Sequence, residues 1–179
     1  ELGRLDEAEA SYTQAIALKS DYAEAHYNLG ITLKELGKLD ECEAHYRQAI
    51  ALKPDFGLAH NNLGNILQEL GKLDQAETCY TKAIALRPDY AEAHRNLGNT
   101  LKEMGRIADA IGLYIRALKI NPDYTQAYSD LGIALMGFEF KKPIAGLSEL
   151  ICEMLAKKTL VRPKDISKAV ISLLRFDPI

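Results

Sequence analysis

The 179-residue sequence predicts an all-α solenoid, on three observations. The first is a period: Gly3, Gly37, Gly71 and Gly105 stand 34 residues apart, and so do Gly30, Gly64, Gly98 and Gly132. Tyr12, Tyr46, Tyr80 and Tyr114 keep the same interval, as do Ala15, Ala49, Ala83 and Ala117, and Pro54, Pro88 and Pro122. The second is identity between units: residues 23–56 and 57–90 agree at 20 of 34 positions, and 91–124 agree with the second unit at 15. The third is helical spacing of apolar residues inside each unit, as in Leu29, Leu33 and Leu36 followed by Leu39, Tyr46, Ala49, Ile50 and Leu52. A tandem unit of this size packs on its neighbours, and none is stable alone.

The elements follow in order. Residues 1–22 read as a half unit with only the second helix of a pair, because Glu1-Leu2-Gly3 corresponds to Glu35-Leu36-Gly37. This reading expects a fragment of a longer array, with the apolar side of residues 6–18 uncovered and available for self-association. Complete units are 23–56, 57–90 and 91–124. In the first, helix A runs from about Ala23 to Leu36 and stops at Gly37, a C′ residue with φ > 0. Helix B is expected to open at Asp40, with Asp40 and Glu43 as a capping box that recurs as Asp6 with Glu9 and Asp74 with Glu77. Ala108 takes the aspartate's place in the third unit, which predicts a frayed start weaker by about 1 kcal/mol. Helix B ends before Lys53-Pro54-Asp55, since the residue preceding proline is pushed out of the α region.

The mid-helix glycines Gly30, Gly64, Gly98 and Gly132 each cost about 1 kcal/mol against alanine. Close approach of helix B at the small residues Ala8, Cys42, Ala76 and Ala110 is the expected compensation. A last helix A occupies 125–136 and closes an array spanning 1–137. Residues 138–179 break the period and carry two further amphipathic patterns. One spans 144–157 with Ile144, Leu147, Ile151, Met154 and Leu155; the other spans 165–175 with Ile166, Val170, Leu173 and Leu174. This end holds eight basic and five acidic side chains, net +3, against net −6 before it. It reads as a non-repeat helical cap over the last helix A or as a junction to a following domain.

Composition narrows the function. A net charge of −3 gives no cationic field for nucleic acid or an anionic membrane, and no apolar run reaches bilayer-spanning length. Cys42, Cys79 and Cys152 form no disulfide framework and no CxxC pair, which fits a reducing, cytoplasmic setting; Cys42 reads as a core residue. His26, His60 and His94 recur at the repeat interval, but stacked equivalents lie about 10 Å apart, whereas zinc needs nitrogens at about 2.1 Å. They therefore read as packing residues, with Tyr128 in that role in the fourth unit and His45 isolated on helix B. No phosphate loop, GxSxG elbow or HExxH is present, so no catalysis, cofactor or metal is expected.

Leu29-Gly30 to Leu33, then Gly37, the small residue, Tyr46, Ala49 and Pro54 resemble the tetratricopeptide repeat (TPR) over residues 1 to about 137. The A-H-x-N-L-G-N-x-L-K-E wording is most similar to repeats of O-GlcNAc transferase-type glycosyltransferases and of bacterial proteins that join such repeats to an enzyme. The resemblance implies a right-handed superhelical TPR solenoid, an interaction scaffold whose concave groove is lined by the A helices. It implies no activity.

A helical wheel of residues 91–103 sets His94, Leu97, Gly98 and Leu101 on one face and Glu92, Arg95, Asn99, Lys102 and Glu103 on the other, which would face the groove. The fifth and ninth positions of helix A are Tyr27 with Ile31, Asn61 with Asn65, Arg95 with Asn99, and Ser129 with Ile133. They vary while the core does not, which suits a fixed scaffold with a varied binding surface. The sixth position holds Asn28, Asn62 and Asn96, then Asp130. Asparagine is a poor helix-interior residue. Two readings stay open: a ladder of amides for an extended peptide backbone, or bonds to the neighbouring helix that hold the stack.

In the O-GlcNAc transferase family, asparagines at this motif position bind substrate peptide, and the resemblance carries that role to Asn28, Asn62 and Asn96; Asp130 departs, since a carboxylate only accepts. A cochaperone-like carboxylate clamp is not expected: Asn65 and Asn96 match, but Asn61, Gln126 and Asp130 stand where cations belong. Lys34, Arg95 and Lys102 alternate with Glu24, Glu35, Glu69, Glu92 and Glu103, so no nucleic-acid track is expected. The expected function is a non-enzymatic scaffold that binds an extended peptide or protein segment. The alternatives are a substrate-selecting arm of a larger, glycosyltransferase-like enzyme and an assembly scaffold using end or convex surfaces.

Overall fold

The computed structural model describes residues 2–136, 138–139, 147–156 and 167–174. These hold ten helices and no strand: α1 Leu2–Leu18, α2 Ala23–Glu35, α3 Leu39–Leu52, α4 Gly57–Glu69, α5 Leu73–Leu86, α6 Ala91–Glu103, α7 Ile107–Ile120, α8 Thr125–Leu135, α9 Leu147–Ala156 and α10 Ser167–Leu174. The chain divides into two compact units, Glu1–Pro88 and Asp89–Ile179. In the first, α1 packs on α2, α2 pairs with α3, α3 packs on α4 and α4 pairs with α5. In the second, α6 pairs with α7, and α8 packs on both.

Each A-to-B turn is closed by the backbone. Gly37, Gly71 and Gly105 have φ of 75°, 72° and 79°. At the first, Lys38 N–H bonds the Leu33 carbonyl at 2.9 Å and Gly37 N–H bonds that of Lys34 at 3.0 Å. These are the two bonds of a Schellman motif, and they consume carbonyls that a helix end otherwise leaves unpaired. Gly3 departs from the expectation: α1 runs through it with no positive φ, because among the described residues no helix precedes it to supply those carbonyls.

The B helices start one residue earlier than expected, at Leu39, Leu73 and Ile107, and the N-cap positions Lys38, Lys72 and Arg106 make no side-chain cap bond. Asp40 and Asp74 thus sit inside the first turn, where a carboxylate acts on the helix dipole and does not cap; Asp6 lies in the interior of α1. The recurring glutamates reach forward to the next repeat: Glu9 takes Lys38 at 2.7 Å and Glu43 takes Lys72 at 2.8 Å. Ala108 forfeits no cap, since α7 begins at the same repeat position as α3 and α5.

The mid-helix glycines face a different partner from the one expected. A Cβ on Gly30, Gly64 or Gly98 would lie 2.6 Å from a ring carbon of Tyr46, Tyr80 or Tyr114. These tyrosines are buried, and so are the small residues Cys42, Ala76 and Ala110. Ring against bare backbone therefore sets the closest approach within each pair. In α1 the counterparts Ala8, Tyr12 and Ala15 stay only half-buried, and Leu18 is 83% exposed.

Both C-terminal helices lie inside the segments expected to be helical, with Leu147, Ile151 and Ala169 buried. Ile144 and Ile166, and the side chains of Met154, Leu155, Leu173 and Leu174, lie outside the described residues, as does most of what would distinguish a cap from a junction.

Gly64→Ala forces a methyl into the Tyr80 ring and should lower stability by about 1–3 kcal/mol in urea unfolding. Gly112→Ala, with nothing within 4 Å of the new Cβ, should be neutral or stabilise by up to about 1 kcal/mol. Asp74→Asn separates the two N-terminal readings. Asparagine caps as well as aspartate, so a loss of about 0.3–1 kcal/mol that disappears in high salt marks the dipole role.

Candidate functional site

The tyrosine seam delivers a hydroxyl to the A-helix face of each pair. The Tyr80 hydroxyl donates to Asn65 Oδ1 at 2.7 Å, and that of Tyr114 donates to Asn99 Oδ1 at 2.8 Å. Both asparagines hold the ninth position of their helix. In the pair α2–α3 the ninth residue is Ile31, which cannot accept, and the Tyr46 hydroxyl interacts instead with the Asn62 side chain on α4. Burial pushes the phenols of Tyr46 and Tyr114 well above the usual tyrosine value, so both stay neutral.

A cavity of about 340 Å³ opens beside Tyr46, lined by Ile31, Lys34, Glu35, Tyr46 and Asn62. It brings together two of the residues singled out in the sequence, Lys34 and Asn62. The wall formed by Tyr46 went unforeseen, although its 34-residue recurrence marked it.

Two of the sixth-position residues, Asn62 and Asp130, turn toward the preceding A helix of their own unit. Asn62 Nδ2 donates to the Tyr27 hydroxyl at 3.1 Å, while the Tyr27 ring packs on Phe56 with centroids 4.8 Å apart. In the second unit Arg95 Nε donates to Asp130 Oδ2 at 2.6 Å. Burial opposes the charge on Arg95, but Asp130 outweighs it and the guanidinium pKa is raised. Both bonds join the fifth position of one A helix to the sixth of the next, so helix-to-helix bonding holds at these two places. Asn28 is half-buried and its side chain makes no hydrogen bond among the described residues.

Asn61 does not belong to the surface. The residue is 0% exposed, with Nδ2 3.4 Å from Asn62 Oδ1, whereas its repeat equivalents Tyr27 and Arg95 are half-buried and Ser129 is exposed. Asn96 is 9% exposed. Asn65, Asn99 and Lys102 are half-buried and Lys34 is exposed.

Burial pushes the Cys42 thiol up to about 11 and raises that of Cys79, which keeps both protonated and unreactive. No group of three or more His, Cys, Asp or Glu among the described residues is placed to hold a metal ion. His60 Nε2 lies 3.0 Å from the Pro54 carbonyl, an anchoring contact. His45 is not isolated: its Nδ1 lies 3.0 Å from Nδ1 of His26. No described helix is long and apolar enough to cross a membrane.

This arrangement has relatives. The family described as "TPR repeat" matches residues 1–37, 64–105 and 98–137, more than half of the chain. Two further families, each described as "Tetratricopeptide repeat", match 23–56 and 45–78. Among solved structures, the chain is similar to MamA, with a TM-score of 0.72 and 21% identity over 97% of this chain and 91% of that one. It is similar to YrrB, described as a TPR protein with an unusual peptide-binding site, at a TM-score of 0.65 and 22% identity over 74% and 69%. The first TPR of Spaghetti (RPAP3), bound to the HSP90 peptide SRMEEVD, superposes at 0.61 with 23% identity over 63% and 89%. At these identities the likeness is one of fold. No curated protein matches the chain. The narrower likeness to O-GlcNAc transferase-type repeats finds no support in these matches. With its period, its Schellman turns and its glycine–tyrosine pairs, the chain belongs to the tetratricopeptide-repeat family.

Proposed function

We propose that the chain is a non-enzymatic interaction scaffold that holds an extended peptide or partner segment against its A-helix faces. The observation that carries this reading is the cavity beside Tyr46. It combines an apolar wall, Ile31 with the Tyr46 ring, and polar groups at its edge, Lys34, Glu35 and Asn62. A side chain with an apolar stem and a neutral polar end, able both to donate and to accept, suits it, while Asn28 on the same helix face as Ile31 offers an amide to the peptide backbone. YrrB and the RPAP3 repeat, by their descriptions a peptide binder and a peptide complex, support a peptide as the class of ligand.

In the second unit, Asn99, Lys102 and the exposed Ile133 offer comparable chemistry, with Arg95 and Asp130 bonded to each other and less available. Asn65 shares its acceptor oxygen with Tyr80, Tyr27 accepts from Asn62 and packs on Phe56, and Asn96 is buried.

Selection of binders from a displayed peptide library on the full chain tests the reading. Asn62→Ala and Lys34→Ala should each weaken a selected peptide about tenfold, and Asn28→Ala should do so by a similar factor. Affinity unchanged in all three, with helicity and melting intact, would remove the A-face site. A double-mutant cycle of Arg95→Met with Asp130→Asn should give a coupling of about 1–2 kcal/mol in stability, which assigns that pair to holding α6 on α8.

A further inference from the structure

His26 on α2 and His45 on α3 face each other with Nδ1 to Nδ1 at 3.0 Å and ring centroids 5.3 Å apart. His26 is buried, and its Nε2 lies 3.3 Å from the Ser20 carbonyl in the α1–α2 turn. A carbonyl oxygen only accepts, so Nε2 of His26 carries a hydrogen. Neutral His26 then presents Nδ1 as an acceptor, and His45 donates to it from its own Nδ1. With both rings neutral, this is the one pair of tautomers that satisfies the Ser20 carbonyl and the Nδ1–Nδ1 contact together.

One added proton can be absorbed. His26 becomes a donor at both nitrogens, and His45 moves its hydrogen to Nε2 and accepts. A second proton cannot, since two N–H groups of two cations would meet head-on at 3.0 Å. The titratable groups around His45 act in opposite senses. Burial and His26 lower its pKa, Glu41 on its own helix raises it, and the lowering prevails; α4, which also packs on α3, contributes no charged group.

We propose that the His26–His45 pair is a proton-operated latch on the first unit. It holds the α1–α2 turn to the α2–α3 pair while it carries at most one positive charge, and it releases the turn when acid drives on the second. The next repeat supplies an internal control. His60 makes the same carbonyl anchor, to Pro54 at 3.0 Å, but the repeat position of His45 is Cys79 there and Leu113 in the third unit. Neither position sets a second ring against the anchored histidine; burial and Lys82 on α5 still lower the pKa of His60, so what distinguishes the first repeat is the paired ring and not acid sensitivity as such.

The sign follows from proton counting. Below the ordinary histidine value of about 6.5 the unfolded chain binds two protons at these residues, whereas the folded pair binds one. Stability is full above that value and falls as pH drops below it. The pair adds a loss of about tenfold in the folding constant per pH unit.

Urea unfolding of the full chain from pH 7.5 to 5 should show this extra slope in the wild type and lose it in both His45→Leu and His45→Cys. Two variants guard against one failing to fold. In the wild type, imidazole nitrogen NMR at pH 7.5 should show His26 as the Nε2–H and His45 as the Nδ1–H tautomer. Exchange of the Tyr22 amide should accelerate in acid more than that of Phe56, its counterpart before α4, and His45→Leu should remove the excess. Equal slopes in all three proteins, or two rings in the wild type that titrate independently, would overturn the latch.

Discussion

The contact on which the rest depends is a tyrosine ring laid on the bare backbone of a mid-helix glycine. Three times the ring of helix B comes so near helix A that a methyl group would stand 2.6 Å from it. Glycine loses helix stability at each place, and the buried ring recovers it by area and by dispersion. Because the pair is tight there, the turn between the helices has one geometry left, the Schellman closure at Gly37, Gly71 and Gly105. The ion pairs Glu9–Lys38 and Glu43–Lys72 act on that frame from outside and add little individually.

The same contact governs what the A-helix face can offer. A ring seated on the glycine carries its hydroxyl to the ninth residue of helix A. Where that residue is Asn65 or Asn99, the amide oxygen is taken up internally. Where it is Ile31, the hydroxyl turns to Asn62 and a cavity opens beside it. One substitution in a repeated frame thus converts a structural amide into a recess, so a scaffold with a constant core can carry different recognition surfaces.

Much of the frame was legible because its requirements are local. A positive φ needs glycine, a helix before proline must end, and a 34-residue period cannot be mistaken. The start of helix B was misread because an acidic residue followed three positions later by glutamate satisfies two mechanisms. Whether Glu43 reaches back to its own helix or forward to Lys72 depends on the neighbouring repeat, which no single helix reveals. Asn61 was placed on the surface with its repeat equivalents; Tyr27 and Arg95 stay half-buried and Ser129 is exposed, whereas Asn61 alone is fully buried, a difference between repeats that a wheel of one helix does not show. The partner of His26 escaped notice because His45 does not recur. Its sole trace was a histidine standing where the next two repeats have Cys79 and Leu113.

The central claim is that the seam turns the A-helix face of the first unit into a receptor surface. Chemical-shift mapping of the labelled chain with a selected peptide tests it most directly. The account predicts that the largest amide and side-chain shifts cluster at Asn28, Ile31, Lys34 and Asn62, with the exposed B-helix residues Gln48 and Lys82 unmoved. Shifts confined to the B helices, with those four residues silent at saturation, would contradict it.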